Sequence, residues 1–287
     1  MHDVAIIGGG PAGIAASIFL KRAGFDIVLF EKNEIGGLLL NAHLVENYPG
    51  FPRGIKGYEL CNLMNAQLSR WNIRPTKEEV NEINVENEGF VLTTNNSQNK
   101  FRCVILATGT IPKKIGIPGE TELFGKFVFY EVKDLLPQVK PENTCIVIGS
   151  GDAAFDYSLN LVEKQVTVEL FYRSEKPKCL PLLMERVKKC STIQLHPSFT
   201  PLKINEKDGK PEVTFKSNDK SMHTCQVDYV LIACGREPNE ALLSKDFKEN
   251  NISGFYIAGD VRTGKFRQIG IAVGEGIRVA MNVEEYL

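Results

Sequence analysis

The stretch DVAIIGGGPAGIAASIFL, residues 3–20, decides the fold. It reads as a buried strand, a tight turn and an amphipathic helix, with Gly8, Gly10 and Gly13 at the G-x-G-x-x-G spacing. In this context the first glycine permits the turn, the second lets a pyrophosphate approach the backbone, and the third lets helix and strand pack closely. The helix N-terminus then faces the phosphates with its partial positive charge. This stretch therefore predicts a dinucleotide site.

The same pattern returns at residues 144–161, TCIVIGSGDAAFDYSLNL, so the chain contains an internal duplication. Each copy leads to a second strand and later to a further buried strand. These strands are expected at 25–31 and 103–109 in the first copy and at 166–173 and 229–235 in the second. Strands that alternate with helices are typical of parallel, doubly wound sheets. The sequence predicts an α/β fold of two Rossmann-like, three-layer domains, each with a small β-meander. The meanders are expected at 80–106 and 203–233.

The residue that closes the second strand differs between the copies. Glu31 ends this strand in the first copy, where a carboxylate accepts hydrogen bonds from an adenosine ribose. The same spacing in the second copy leads to Tyr172, which is followed by Arg173 with Lys178 nearby. Loss of the carboxylate and gain of cations favour a ribose 2′-phosphate, so NADP fits better than NAD. A solvated loop with ordinary lysines is the alternative.

Size and charge exclude several classes of protein. The chain has 287 residues, of which 43% are hydrophobic and 24% charged, and its formal net charge is −1. These values are those of an ordinary globular protein and give no indication of a nucleic-acid or membrane-surface partner. No apolar run approaches the ~20 residues of a membrane span, and no signal-peptide pattern precedes the first strand. We expect a cytoplasmic protein.

The seven cysteines stand at no spacing typical of a redox dithiol or a zinc site. Four of them lie in or beside apolar strands and are expected to be buried and inert. These four are Cys103, Cys145, Cys225 and Cys234. We predict no disulfide framework and no metal site, and the alternative is a spatial pairing that the spacing does not reveal.

Several motifs together resemble the low-molecular-weight thioredoxin reductase superfamily of flavoproteins, over nearly the whole chain. They are GGGPAG with Glu31, GG at 36–37, VENYPGFP at 45–52, ATGTIP at 107–112, GSGDAA at 149–154, GREPN at 235–239 and AGDV at 258–261. The resemblance implies FAD in a discontinuous domain, 1–116 with 239–287, and NAD(P) in an inserted domain, 117–238. It also implies a homodimer and a rotation of one domain against the other.

The resemblance further implies which residues contact each cofactor. For FAD these are Gly8, Gly10, Pro11, Ala12, Gly13, Glu31, Lys32, Gly37, Asn47, Thr108, Gly109, Gly259, Asp260, Arg267 and Gln268. For NAD(P) they are Gly149, Gly151, Asp152, Ala153, Ala154, Arg173, Lys178 and Gly235. We assign no catalytic side chain, because the flavin carries the chemistry.

Thioredoxin reductases of this superfamily carry Cys-x-x-Cys just before the second glycine motif, where this chain has FYEVKD, residues 129–134. Glu131 and Asp134 take the two cysteine positions, and a carboxylate cannot exchange with a disulfide. Tyr130, Val132 and Asp134 are instead similar to the thioredoxin-reductase-like ferredoxin–NADP reductases. Glu131 and Lys133 themselves are expected to be solvated surface.

We therefore predict an FAD-dependent NAD(P)H oxidoreductase without a redox dithiol. It would pass electrons from NADPH, with NADH as a second donor, to an external acceptor, for which a ferredoxin-like iron–sulfur protein is the first choice. A basic rim for such an acidic partner would consist of Lys113, Lys114, Arg262, Lys265 and Arg267. The alternatives are a non-catalytic sensor flavoprotein and a flavin-direct reductase of a small disulfide, a quinone or a dedicated redoxin.

Overall fold

The computed structural model describes residues 1–86, 88–244, 247 and 252–287. The described residues form two compact units. The first unit consists of Met1–Leu40, Val45–Ile111 and Glu237–Leu287, and the second of Asn41–Leu44 and Pro112–Arg236. These divisions differ from the predicted domain boundaries by a few residues and by the segment Asn41–Leu44. The assignment of one cofactor to each domain stays a prediction.

Sixteen strands lie in the described part of the chain. They are β1 (His2–Ile7), β2 (Ile27–Phe30), β3 (Val80–Glu86), β4 (Gly89–Thr94), β5 (Gln98–Leu106), β6 (Thr110–Pro112), β7 (Val128–Phe129), β8 (Thr144–Ile148), β9 (Thr167–Tyr172), β10 (Ile193–Pro197), β11 (Phe199–Lys207), β12 (Lys210–Ser217), β13 (Met222–Gln226), β14 (Tyr229–Ile232), β15 (Arg236–Pro238) and β16 (Phe255–Ile257).

The same ranges contain six α-helices and two 3₁₀ helices. The α-helices are α1 (Pro11–Arg22), α2 (Gly57–Arg70), α3 (Val132–Leu135), α4 (Asp152–Glu163), α5 (Pro181–Lys189) and α6 (Ile269–Tyr286). The 3₁₀ helices are Gly37–Asn41 and Gly259–Val261. None of the described helices combines the length and the apolar character that crossing a membrane requires.

The sheet of the first unit is mixed. Its strand order is β2-β1-β5-β4-β3, with β16 also paired to β5. The pairs β1–β2, β1–β5 and β16–β5 are parallel, whereas β3, β4 and β5 form the predicted antiparallel meander. Phe101 of β5 is fully buried, and the ring of Phe30 packs edge-on against it at 6.0 Å.

The second unit repeats this plan. Its five-stranded sheet is parallel throughout, with the order β10-β9-β8-β14-β7. Strands β11, β12 and β13 form a separate antiparallel meander. Side chains of a strand alternate between the two faces of a sheet. In β8, Cys145 and Val147 pack with α4 and α5, whereas Ile146 and Ile148 pack with β11 and β12. The predicted three layers are thus helices, parallel sheet and meander.

The C-terminal helix packs against the beginning of α1 within the first unit. A Cβ at Gly276 of α6 would lie 2.1 Å from the carbonyl oxygen of Ala12, so this position admits only glycine without movement of one helix. Gly274, one half-turn earlier, has nothing within 4 Å of its Cβ position. The two glycines therefore differ in whether a side chain has space.

We expect Gly276→Ala and Gly274→Ala to change stability in opposite directions. Gly276→Ala forces α6 away from α1 and lowers the free energy of unfolding by about 1–3 kcal/mol. Gly274→Ala only removes a flexible residue from a helix and raises the free energy of unfolding by roughly 0.5–1 kcal/mol. Urea unfolding of the two variants tests this, and a change of the same sign and size in both would contradict the described packing.

Candidate functional site

The first glycine turn is built by close contacts that exclude larger residues. A Cβ at Gly8 would lie 2.3 Å from the carbonyl oxygen of Ala107, and one at Gly13 would lie 1.9 Å from that of Gly8. Gly10, which precedes α1, faces open space. No side chain caps α1, and its first turn contains no acidic residue, so its partial positive charge is not offset there. The turn therefore fits a pyrophosphate.

Glu31 lies beside this turn. Its carboxylate accepts hydrogen bonds from the backbone N–H groups of Gly9 at 2.7 Å and Asn33 at 2.8 Å. A cavity of about 250 Å³ opens at Gly8, Glu31 and Lys32, and the ammonium group of Lys32 is paired with Glu79 at its rim. The cavity adjoins both the pyrophosphate turn and the predicted ribose carboxylate, so it fits an adenosine group.

Other predicted FAD residues lie around the same turn. The Cβ position of Gly37 is 3.4 Å from Cα of Gly10, and that of Gly259 is 2.8 Å from Cβ of Ala12. Gly259 begins the 3₁₀ helix that contains Asp260. The first unit therefore brings two distant glycine segments to the start of α1.

Hydrogen bonds connect several predicted FAD residues to one another or to other loops of the first unit. The Asn47 side chain donates to the Gln268 side-chain oxygen at 2.8 Å. The Thr108 hydroxyl donates to the carbonyl of Asn239, whose N–H donates to the carbonyl of Gly109. Arg267 donates to the carbonyl of Gly264 in its own loop. These residues fit the FAD that the resemblance implies, and their individual roles stay predictions.

The second glycine turn has the same construction. A Cβ at Gly149 would lie 2.4 Å from the carbonyl oxygen of Ala233, whereas Gly151 faces open space before α4. The loop after β9 folds back onto this turn, because Lys178 N–H donates to the Ser150 carbonyl at 2.6 Å. Leu180 N–H donates to the Asp152 carboxylate at 2.8 Å. Lys178 and the glycine turn are thus brought together, while Arg173 is exposed at the start of this loop.

The cysteines are free thiols, and burial raises the pKa of six of them. Burial raises the pKa of Cys61 and of Cys103 to about 12. The prediction that Cys234 is buried is wrong, because Cys234 lies two residues beyond the end of β14 and is exposed as a residue. Its sulfur nevertheless donates to the Ile148 carbonyl at 3.4 Å, and burial of that atom raises the pKa of its thiol to about 11. Cys225 is only partly buried, which also corrects the prediction.

The hexapeptide FYEVKD contains a largely buried charge that the sequence analysis missed. Glu131 was expected to be solvated, yet its side chain is only 14% exposed and pairs with Arg236 at 2.5 Å. The second carboxylate oxygen accepts from the Asn41 amide at 2.9 Å and from the Tyr157 hydroxyl at 3.3 Å. Desolvation and the Glu131 charge raise the pKa of Tyr157, so its hydroxyl remains a donor. Glu131 comes after the end of β7, and Arg236 comes after the end of the neighbouring parallel strand β14. Two opposite charges beyond the ends of neighbouring strands are the signal in the sequence that could have indicated this ion pair.

Tyr130 is held by a second buried carboxylate. Its hydroxyl donates to Glu120 at 2.8 Å, and Glu120 is only 1% exposed. Burial and this hydrogen bond raise the pKa of Tyr130. Glu120 also accepts the N–H groups of Ile115 at 2.9 Å and Gly116 at 2.7 Å, so it fixes the preceding turn to the end of β7.

Asp156 on α4 is a further buried carboxylate. It accepts the backbone N–H of His43 at 2.8 Å, and the His43 ring contacts Glu163 at 2.9 Å. Burial raises the pKa of Asp156 from its ordinary 3.8 to about 6. The Asp156 carboxyl group is therefore harder to ionise in the folded chain than in the unfolded chain.

Residues 2–276 match the protein family described as pyridine nucleotide-disulphide oxidoreductase. Thioredoxin reductase of Mycoplasma genitalium is 31% identical over 302 residues, which cover 99% of this chain and 95% of that protein. The crystal structure of Lactococcus lactis thioredoxin reductase in its FR conformation matches with a TM-score of 0.89 at 28% identity, covering 100% of this chain and 99% of that one. Bacillithiol disulfide reductase from Bacillus cereus matches in fold, with a TM-score of 0.77 at 22% identity and 99% coverage of both chains. The predicted α/β fold of two Rossmann-like domains is confirmed.

Gly10→Val tests the first turn. Because Gly10 faces open space, valine there leaves the fold intact but fills the approach to the turn, and we expect FAD affinity to fall about tenfold or more. FAD content of the purified variant, measured from its visible absorbance, reports the loss. Gly274→Ala is the control, since its Cβ also meets open space but lies in α6. Equal FAD content in both variants would contradict the site.

Asp156→Asn tests the buried carboxyl group. Between pH 4 and pH 6 the folded chain binds more protons at Asp156 than the unfolded chain, so rising pH removes about 3 kcal/mol of stability there. Asparagine still accepts a hydrogen bond from the His43 N–H but does not ionise. The free energy of unfolding of the variant, compared with that of the parent, should therefore rise by about 3 kcal/mol between pH 4 and pH 7. Urea unfolding across this range measures the difference, and a pH-independent difference would contradict the assignment.

Proposed function

The chain belongs to the pyridine nucleotide-disulphide oxidoreductase family, and from that premise we propose that it passes electrons from NADPH through FAD to an external acceptor without a redox dithiol of its own. The observation that carries the proposal is Glu131. Glu131 forms a largely buried ion pair with Arg236. By the resemblance, Glu131 stands where thioredoxin reductases carry their first redox cysteine. A carboxylate cannot attack a disulfide, so the electrons leave by another route.

The free thiols support the absence of an internal dithiol. Only a thiolate exchanges with a disulfide. Cys61, Cys103 and Cys234 have pKa values of about 11 to 12, so they are overwhelmingly protonated at neutral pH. Burial also raises the pKa values of Cys145, Cys179 and Cys225.

FAD is the cofactor of the first unit in this proposal. When bound, it supplies a carrier that accepts a hydride and releases electrons. The chain's own part is to hold it: the backbone at Gly8–Gly13 receives the pyrophosphate, Glu31 the ribose, and Asn47 and Gln268 the far end of the cofactor. No side chain is needed as a general acid or base.

NADPH is the proposed donor, with NADH as a weaker one. The loop after β9 carries Arg173 and Lys178. The backbone N–H groups of Lys178 and Leu180 fasten it to the Ser150 carbonyl and to the Asp152 carboxylate. The hydroxyl oxygen of Ser174 is buried and has no hydrogen-bond partner among the described residues. Two cations and an unpartnered hydroxyl on this loop suit a ribose 2′-phosphate, which accepts several charge-assisted hydrogen bonds.

A ferredoxin-like iron–sulfur protein is the proposed acceptor. Its support is the likeness of Tyr130, Val132 and Asp134 to the ferredoxin–NADP reductase pattern, together with the cations Lys113, Lys114, Arg262, Lys265 and Arg267. Lys265 lies 5.3 Å from the ring of Phe266, which is 66% exposed, whereas Arg262 is already paired with Glu275. An exposed aromatic ring beside a cation suits an acidic protein partner.

Reduction of a disulfide directly by the flavin is the second candidate. The observation in its favour is the 31% identity to a protein named thioredoxin reductase. A homodimer and a cytoplasmic location also belong to the proposal, and they rest on the resemblance to thioredoxin reductases.

An anaerobic two-step experiment tests the proposal. NADPH should bleach bound FAD rapidly and NADH more slowly, after which ferredoxin, thioredoxin, a quinone and a small disulfide are each offered as oxidant. We expect ferredoxin to reoxidise the flavin fastest. Fast reoxidation by thioredoxin would contradict the absence of a dithiol exit, and a flavin that NADPH leaves oxidised would point to a sensor protein instead.

A further inference from the structure

The strand order of the second unit defines where a dinucleotide lies. In the order β10-β9-β8-β14-β7, strand β8 has β9, the next strand in the chain, on one side and β14 on the other. In open parallel sheets the ligand binds at the carboxyl ends of the strands where the order reverses. Here that place lies between the ends of β8 and β14.

The two halves of this crevice carry different residues. The glycine turn follows β8 and Arg173 follows β9, so the phosphates and the adenosine belong on that side. Gly235 and Arg236 follow β14, and Glu131 follows β7, the next strand along. The nicotinamide half of the cofactor therefore belongs on the side of Glu131 and Arg236.

Glu131 and Arg236 are held firmly in this position. Their side chains are 14% and 16% exposed and pair at 2.5 Å, and Asn41 and Tyr157 donate to the other carboxylate oxygen. A carboxylate has about four acceptor positions, and these contacts use three of them. Burying such a pair gains little stability compared with apolar residues of the same size. A role in ligand binding accounts better than stability for an ion pair of Glu131 and Arg236 at this position.

We propose that Glu131 and Arg236 form a charge-balanced subsite for the nicotinamide half, which sets the relative affinity for the oxidised and reduced dinucleotide. This inference rests on the proposed function, since it takes NADPH as the second ligand. The nicotinamide ring is positively charged when oxidised and neutral when reduced. A carboxylate alone would favour the oxidised form and a guanidinium alone would disfavour it. In the ion pair the two charges offset each other, so the subsite does not strongly favour either the oxidised or the reduced nicotinamide ring.

Single substitutions that unbalance the pair test this directly. In the FAD-loaded full chain, Arg236→Gln should raise the affinity for NADP⁺ relative to NADPH about fivefold, and Glu131→Gln should lower the same ratio about fivefold. Dissociation constants are measured anaerobically by calorimetry for NADP⁺ and, with the flavin already reduced, for NADPH. The double variant, which restores the balance, should return the ratio to that of the parent.

Two controls separate the subsite from general effects. Lys133→Gln removes the same charge as Arg236→Gln from a neighbouring side chain that pairs with Asp134, and the ratio should stay unchanged. Adenosine 2′,5′-bisphosphate lacks the nicotinamide half, so its affinity should change less than twofold in every variant.

The outcomes distinguish this inference from the proposed function. A ratio that stays constant or moves in the same direction in both single variants would overturn the subsite, while NADPH binding by the parent would leave the proposed function standing. Parallel loss of adenosine 2′,5′-bisphosphate binding would show that the pair only supports the fold. Absence of NADPH binding by the parent would overturn both.

Discussion

One steric constraint recurs in both halves of the chain and determines where the nucleotides can bind. A Cβ at Gly8 would lie 2.3 Å from the carbonyl oxygen of Ala107, and one at Gly149 would lie 2.4 Å from that of Ala233. In each case the turn after one strand touches the end of its neighbour, so only glycine fits. This contact turns the chain sharply into α1 or α4 and leaves each helix N-terminus facing outward, where phosphates bind.

The two copies then diverge in what surrounds the turn. Glu31 closes the first turn with a carboxylate, whereas a basic loop is fastened to the second by Lys178 and Leu180. A carboxylate suits ribose hydroxyl groups and cations suit an added phosphate. The first turn therefore suits an unmodified ribose, and the second suits a phosphorylated one. At the ends of β7 and β14, the Glu131–Arg236 pair adds a largely buried ion pair to the second unit.

Local patterns in the sequence predicted the strands of the duplicated glycine units, the glycine turns and both meanders, because each depends on neighbouring residues. The short strands β6, β7 and β15 and the edge strand β10 were not predicted. The role of Glu131 was missed because its partners, Arg236 and Asn41, stand 105 and 90 residues away. Nothing within FYEVKD indicates that a charge is buried there. The prediction for Cys234 was wrong for a local reason. An apolar strand precedes it, but β14 ends two residues before it, and the residue is exposed. The sequence alone did not determine which distant side chains contact each other or at which residue each strand ends.

In the function that we propose, the flavin is the only two-electron centre of this chain. An anaerobic titration of the FAD-loaded protein with a chemical reductant tests it most directly, because a redox disulfide stores two electrons in addition to those of the flavin. We expect complete bleaching after one two-electron equivalent per FAD, with no new thiols detected. Uptake of two such equivalents, with two new thiols per chain, would contradict it.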